Sequence, residues 1–204
     1  MSDPPNPPDP SITPNPLTDW FPVVLHALNV GNSKAATTLI DEFVTELPDP
    51  ASRAARCLVA GQLLESHKHF DHAERYLRRG LSYESTDERT CYFLNNNVGF
   101  LLNLRGEHAE AEPFCRAAIR HDPLRHNAYK NLGIALAGLG QPGEAARNLI
   151  LATRACPEDP RAYRLLLQLV ADHGATIRAF DPNIDSKLQI LRLAVGAPEE
   201  SESQ

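Results

Sequence analysis

The 204-residue sequence predicts an all-α fold: a right-handed α-α superhelix, or solenoid, of about four and a half helix pairs with a C-terminal capping helix. Three observations lead there. The first is a period. "NNNVGFLLNLRGEHAEAEPFCRAAIRHDP", starting at Asn95, aligns without a gap with "YKNLGIALAGLGQPGEAARNLILATRACP", starting at Tyr129, at a spacing of 34 residues. Self-similarity at this period means stacked supersecondary units that share one continuous core. The second is composition: 42% apolar but only 6% aromatic, with many Ala and Leu, which suits closely packed helices. The third is glycine inside helical stretches. Gly99 and Gly133 each cost roughly 1 kcal/mol relative to alanine, and close helix contact along a stack offsets that cost.

The elements follow in order. Residues 1–16 hold seven prolines and no Lys or Arg, which predicts an extended, disordered leader and lacks the charged start and apolar run of a signal peptide. A repeat domain is expected over 17–195. Its units run over about 17–50, 54–87, 92–125 and 126–159, followed by a partial unit at 160–180 and a capping helix at 183–195. Val98-Gly99 falls on Leu132-Gly133, Gly106 on Gly140, Ala111 on Ala145 and Pro123 on Pro157. Upstream, Ala60-Gly61, Leu64, Phe70, Ala73, Leu77 and Gly80 match in order, and so do Trp20, Val23, Ala27, Gly31, Ala36, Ile40, Phe43 and Pro48. Gly106 and Gly140 fall where a left-handed helix C-cap favours glycine. Ser85 and Glu88 read as a capping box. Asp181 reads as an N-cap with Pro182 in the first turn, and Ile184, Leu188, Leu191 and Val195 form one apolar stripe. Residues 196–204 predict a disordered acidic tail.

The pattern W/Y-x2-L-G-x2-Y/L, then A-x3-L/F-x2-A, then Pro, resembles the tetratricopeptide repeat, across 17 to about 174. The upstream copies are degenerate, with Val24 in place of glycine and Ser85 in place of proline. The resemblance implies a binding protein whose first helices line a concave groove. Helical spacing then gives the inner-face residues: Phe93, Asn96, Phe100 and Asn103; Asn127, Lys130 and Ile134; Arg161 and Arg164. Asn97 and Asn131 stand at equivalent positions, where family members that grip extended peptides place an asparagine. For Asn131 two readings stand, a contact to a peptide backbone or a capping amide without a ligand. Arg161 and Arg164 near Lys130 can hold a carboxylate, or form an ordinary charged face. The family's two-carboxylate clamp for chaperone tails is incomplete, because Ile134 and Leu165 occupy two of its places. On the first repeat, Phe21, Leu25 and Leu28 form an apolar face left over after Trp20, Val23, Val24 and Ala27 pack; the proline-rich leader, a partner helix or a second copy of the chain can cover it, and the last makes a self-associating structural subunit of a larger assembly the alternative function.

Other functions are disfavoured. The net charge of −6 argues against a nucleic-acid partner. No apolar run is long enough to span a membrane. Cys57, Cys91, Cys115 and Cys156 are widely spaced, which removes paired zinc-ligand spacing and points to reduced thiols in a cytoplasmic protein. His67, His69 and His72 lie in a turn where solvated histidines are expected. No phosphate loop, G-x-S-x-G or HExxH occurs. The expectation is a non-enzymatic module without cofactor or metal. It binds a peptide or helix of another protein, one bearing acidic groups, as an adaptor, scaffold or co-chaperone.

Overall fold

The computed structural model describes residues 20–197; the proline-rich leader and all but the first two residues of the acidic tail lie outside them. Among the described residues there are ten helices and no strand: α1 (Phe21–Asn29), α2 (Ser33–Thr45), α3 (Pro50–Ser66), α4 (Phe70–Leu81), α5 (Glu88–Leu104), α6 (His108–His121), α7 (His126–Gly138), α8 (Pro142–Ala155), α9 (Arg161–Phe180) and α10 (Ile184–Ala194). The described residues divide into two compact units, with the boundary between Asp49 and Pro50.

In the first unit, α1 and α2 form a hairpin. Trp20 sits just before α1, so its ring is free to stack on Phe43, with centroids 4.4 Å apart, and to meet Phe21 edge-on at 5.5 Å. This changes the expected register. Phe21, Val24 and Ala27 take the buried stripe, while Val23 is 54% exposed. Phe21 is only 6% exposed and Leu25 and Leu28 are half-buried. Of the free apolar face expected of these three residues, the leading ring, Phe21, is already inside.

In the second unit, α3/α4, α5/α6 and α7/α8 are hairpins, and each second helix packs on the next first helix. First helices also touch one another, α3 on α5 and α5 on α7. The helical glycines make the hairpins tight. A Cβ on Gly61, Gly99 or Gly133 would lie 2.5 Å from Leu77 Cγ, 2.7 Å from Cys115 Sγ or 2.7 Å from Leu149 Cγ. These three contacts are one contact repeated, which is what offsets the backbone cost of glycine.

The hairpin turns repeat as well. Gly106 and Gly140 are left-handed, with φ of 77° and 70°, and Gly31 in the first unit has 76°. In each turn the following residue's N–H returns to a carbonyl of the first helix: Glu107 to Leu102 at 3.0 Å, Gln141 to Leu136 at 2.9 Å and Asn32 to Ala27 at 2.7 Å. The α3–α4 turn has the same hydrogen bond, His69 N–H to Leu64 at 2.9 Å, but Lys68 holds the glycine place at φ 65°.

Two caps differ from expectation. Helix α5 starts at Glu88, so Asp87 is its N-cap and accepts the Thr90 N–H at 2.8 Å, while Ser85 Oγ accepts the Asp87 N–H at 3.2 Å. The N-cap of α10 is Asn183; Asp181 instead accepts the Asn183 N–H at 3.2 Å and takes the Lys187 ammonium at 2.6 Å. Helix α9 spans the residues of the partial unit, is kinked at His173 (φ −130°), and buries Ile177 in its far segment. The capping stripe forms as expected: Ile184 and Leu191 are buried, with Leu188 and Val195 packed against the same core.

Candidate functional site

The asparagines of the first helices meet at the seam between α5 and α7. Asn131 Nδ2 donates to Asn96 Oδ1 at 3.0 Å, and Asn96 Nδ2 donates to Asn97 Oδ1 at 3.1 Å. Asn103 Nδ2 donates to the Asn131 carbonyl at 2.8 Å, while His108 Nδ1 lies 3.0 Å from Asn103 Oδ1. Asn96 and Asn97 are each 8% exposed and Asn131 only 3%. Their amides tie the helices together, as buried polar groups must be tied. One group is left over: Asn131 Oδ1 is buried without a hydrogen-bond partner.

The cationic end assembles differently from expectation. Asp159 receives Arg161 twice, Nε at 2.8 Å and Nη2 at 2.6 Å, along with the Arg161 backbone N–H at 3.1 Å. His126 Nε2 reaches the same carboxylate at 3.2 Å. The Arg161 guanidinium holds the Asp159 carboxyl well below the usual carboxylate range. Lys130 is buried and donates to Asn127 Oδ1 at 3.0 Å; burial, then the charge of Arg161, pulls its ammonium below the ordinary lysine value. Of the three cations expected to meet a carboxylate, Arg161 is thus already paired with an internal one. Arg164 is exposed, with no acid within ion-pair distance among the described residues. The sequence carried a signal for this in "DPRAY", an acid two residues ahead of the arginine, a spacing that permits both backbone and side-chain contact.

Beside Arg164 the surface opens into a notch between α7 and α9. Ile134 and Ala137 form one wall, Leu165 and Gln168 the other, around a cavity of about 190 Å³. Leu165 is 38% exposed, and Gln168 is held by its amide donating to Asp172 at 3.0 Å. Leu165 and Gln168 also border the surface that carries Arg161 and Arg164. Leu165, which departs from the family clamp, is thus the exposed apolar contact of this surface. Farther along, Phe93 is half-buried beneath Arg125, whose guanidinium lies 4.9 Å from the ring centre, with Arg89 at 6.0 Å. Phe100 is half-buried on α5.

His67, Cys57 and Cys115 are engaged within the fold. His67 Nδ1 lies 2.9 Å from the Leu63 carbonyl, and among the described residues no group of three or more His, Cys, Asp or Glu is placed to hold a metal. Cys57 and Cys115 are fully buried, and burial pushes the Cys115 thiol up to about 12. No helix of the described residues is long and apolar enough to cross a membrane.

This geometry defines an α-helical repeat protein with a seam and a notch on its first helices. No family model and no curated protein matches the chain. Solved structures do. MamA 41-end from Desulfovibrio magneticus RS-1 superimposes with a TM-score of 0.59 at 17% identity, covering 88% of this chain and 97% of that one. Another MamA crystal structure gives 0.61 at 16% identity, over 93% and 98% of the two chains. The Hsp90 co-chaperone Cns1 from Saccharomyces cerevisiae gives 0.57 at 19% identity, over 71% of this chain and 46% of that one. With the repeated hairpins, these likenesses show a tetratricopeptide-like helical-repeat fold.

Proposed function

We propose that this chain is a non-enzymatic protein-interaction module, an adaptor, scaffold or co-chaperone, that holds a partner's peptide or helix against the first helices of its second unit. The observation that carries this reading is the α7–α9 notch, where the exposed side chain of Leu165 and the unpaired guanidinium of Arg164 flank an apolar cavity. An apolar anchor with a nearby charge is how short segments are recognised. The partner chemistry that fits is a large aliphatic side chain next to a carboxylate. The fold likeness to a co-chaperone is in keeping with this role but does not identify the partner. For the alternative, a self-associating structural subunit using Phe21, Leu25 and Leu28, Phe21 is buried and only Leu25 and Leu28 keep partial exposure.

The test uses an array of peptides with a Leu, Ile or Phe beside Asp or Glu, measured by fluorescence anisotropy on the full chain. The expected result is saturable binding, weakened about tenfold or more by Arg164→Glu/Leu165→Asp at unchanged helicity. If no member of the array binds, or if none of the binders is weakened by this double substitution, the reading is defeated.

A further inference from the structure

A larger cleft lies on the second helices, between α6 and α8, with a volume of about 400 Å³. Its rim is cationic. Arg116 and Arg120 lie one turn apart on α6, and Arg147 faces them from α8. Arg116 is partly used by Glu112, at 2.8 Å. Arg120 and Arg147 have no acid within ion-pair distance among the described residues, and both are exposed. Arg154 extends the row, two turns beyond Arg147 on the same stripe of α8. Glu144 is the one acid lining the cleft. The floor is largely apolar, from Ile119, Tyr129 and Leu132, with the buried amide of Asn148, whose N–H is spent on the Glu144 carbonyl at 2.8 Å; Leu151 stands at the edge with 39% of its surface exposed.

This arrangement runs against the chain as a whole, whose net charge is −6. Unpaired arginines around an apolar floor are what a desolvating acidic segment requires: guanidinium groups bind carboxylates in fixed geometry, and the floor receives a side chain between them. A nucleic acid would meet the arginines but leave the floor and Leu151 unused, and would have to approach an acidic body.

We propose that the α6–α8 cleft is a second docking surface, for an acidic amphipathic segment of a partner protein. Its carboxylates pair with Arg120 and Arg147, and its apolar side chain packs on Ile119, Tyr129 and Leu151. The site is separate from the notch on the first helices and does not depend on it, so one chain can join two partners.

The test is selection of random peptides displayed on phage against the full chain, followed by calorimetry on the synthesised binders. Each is measured on wild type, on Arg120→Glu/Arg147→Glu, on Leu151→Asp and on the notch variant Arg164→Glu/Leu165→Asp. The expected outcome is a class of binders with several Asp or Glu around a Leu, Ile or Phe. That class loses about tenfold or more on the first two variants and nothing on the third. Circular dichroism checks the fold, and Arg120→Gln/Arg147→Gln replaces the charge reversal if helicity falls. Recovery of no such class, or of acidic binders indifferent to Arg120 and Arg147, overturns the proposal. So does arginine-dependent binding of duplex DNA or phosphatidylserine vesicles in the absence of any peptide binder.

Discussion

Asn131 of α7 donates its side-chain N–H to the side-chain oxygen of Asn96 of α5 at 3.0 Å, across the seam between two first helices. Both residues are more than nine-tenths buried. Truncating either leaves a polar group buried without a partner, which costs about 1–3 kcal/mol. Asn131→Ala and Asn96→Ala are each expected to lower unfolding free energy by that amount. The double variant is expected to cost less than the sum, because the two single changes remove the same bond, with a coupling of about 0.5–1.5 kcal/mol. Urea unfolding of the four proteins measures this. Strict additivity would mean the bond contributes nothing. A loss of peptide binding in Asn131→Ala is therefore interpretable only beside its stability.

Lys68 offers a gain in stability. Its three repeat equivalents are glycines with φ of 70–77°, and it holds the same left-handed turn at 65°. A side chain there costs about 1–2 kcal/mol, part of which glycine gives back by loosening the unfolded chain. Lys68→Gly is expected to stabilise the protein by about 0.5–1 kcal/mol, and Gly106→Lys to destabilise it by a comparable amount. Thermal unfolding under one buffer decides both. A lower midpoint for Lys68→Gly would show that the lysine side chain contributes more than the turn strain takes away.

These turns also show what a sequence makes legible. A left-handed turn favours, and a close helix crossing requires, an absent Cβ, and glycine records this at the position itself, as at Gly99, Gly106, Gly133 and Gly140. The period then multiplies the record. The asparagines carry no such mark: an amide at the same helical position is written identically whether it faces solvent or a helix 35 residues away, as Asn131 faces Asn96. The register of α1 was hidden for another reason. Trp20 and Phe21 are adjacent large rings, and only the point where the helix starts decides which one enters the buried stripe. The α6–α8 cleft was illegible because its arginines come from different hairpins, and pairwise spacing within one helix does not reveal a rim.

Asp159 gives the pH dependence of this region. Arg161 grips it through the side chain and the backbone, and Lys130 adds a second positive charge, so its folded-state carboxyl titrates well below its unfolded value. The unfolded value is near 3.9. The stability this contributes is fully present above that value and is lost as pH falls below about 4 toward the folded pKa, because the unfolded chain takes up the proton first. Asp159→Asn removes the titration. Wild type is expected to be the more stable of the two at neutral pH, by a margin that is flat above about pH 5 and shrinks between about pH 4 and 2. The same substitution deprives Lys130 of the carboxylate that supports its charge, leaving burial and Arg161 to lower its pKa further. It also releases Arg161 from an ion pair, so an acidic peptide bound beside Arg164 should bind more tightly to Asp159→Asn at neutral pH. Urea unfolding of both proteins across this range supplies the margin. An equal margin at pH 3 and pH 7 would show that the Asp159–Arg161 pair does not stabilise the fold.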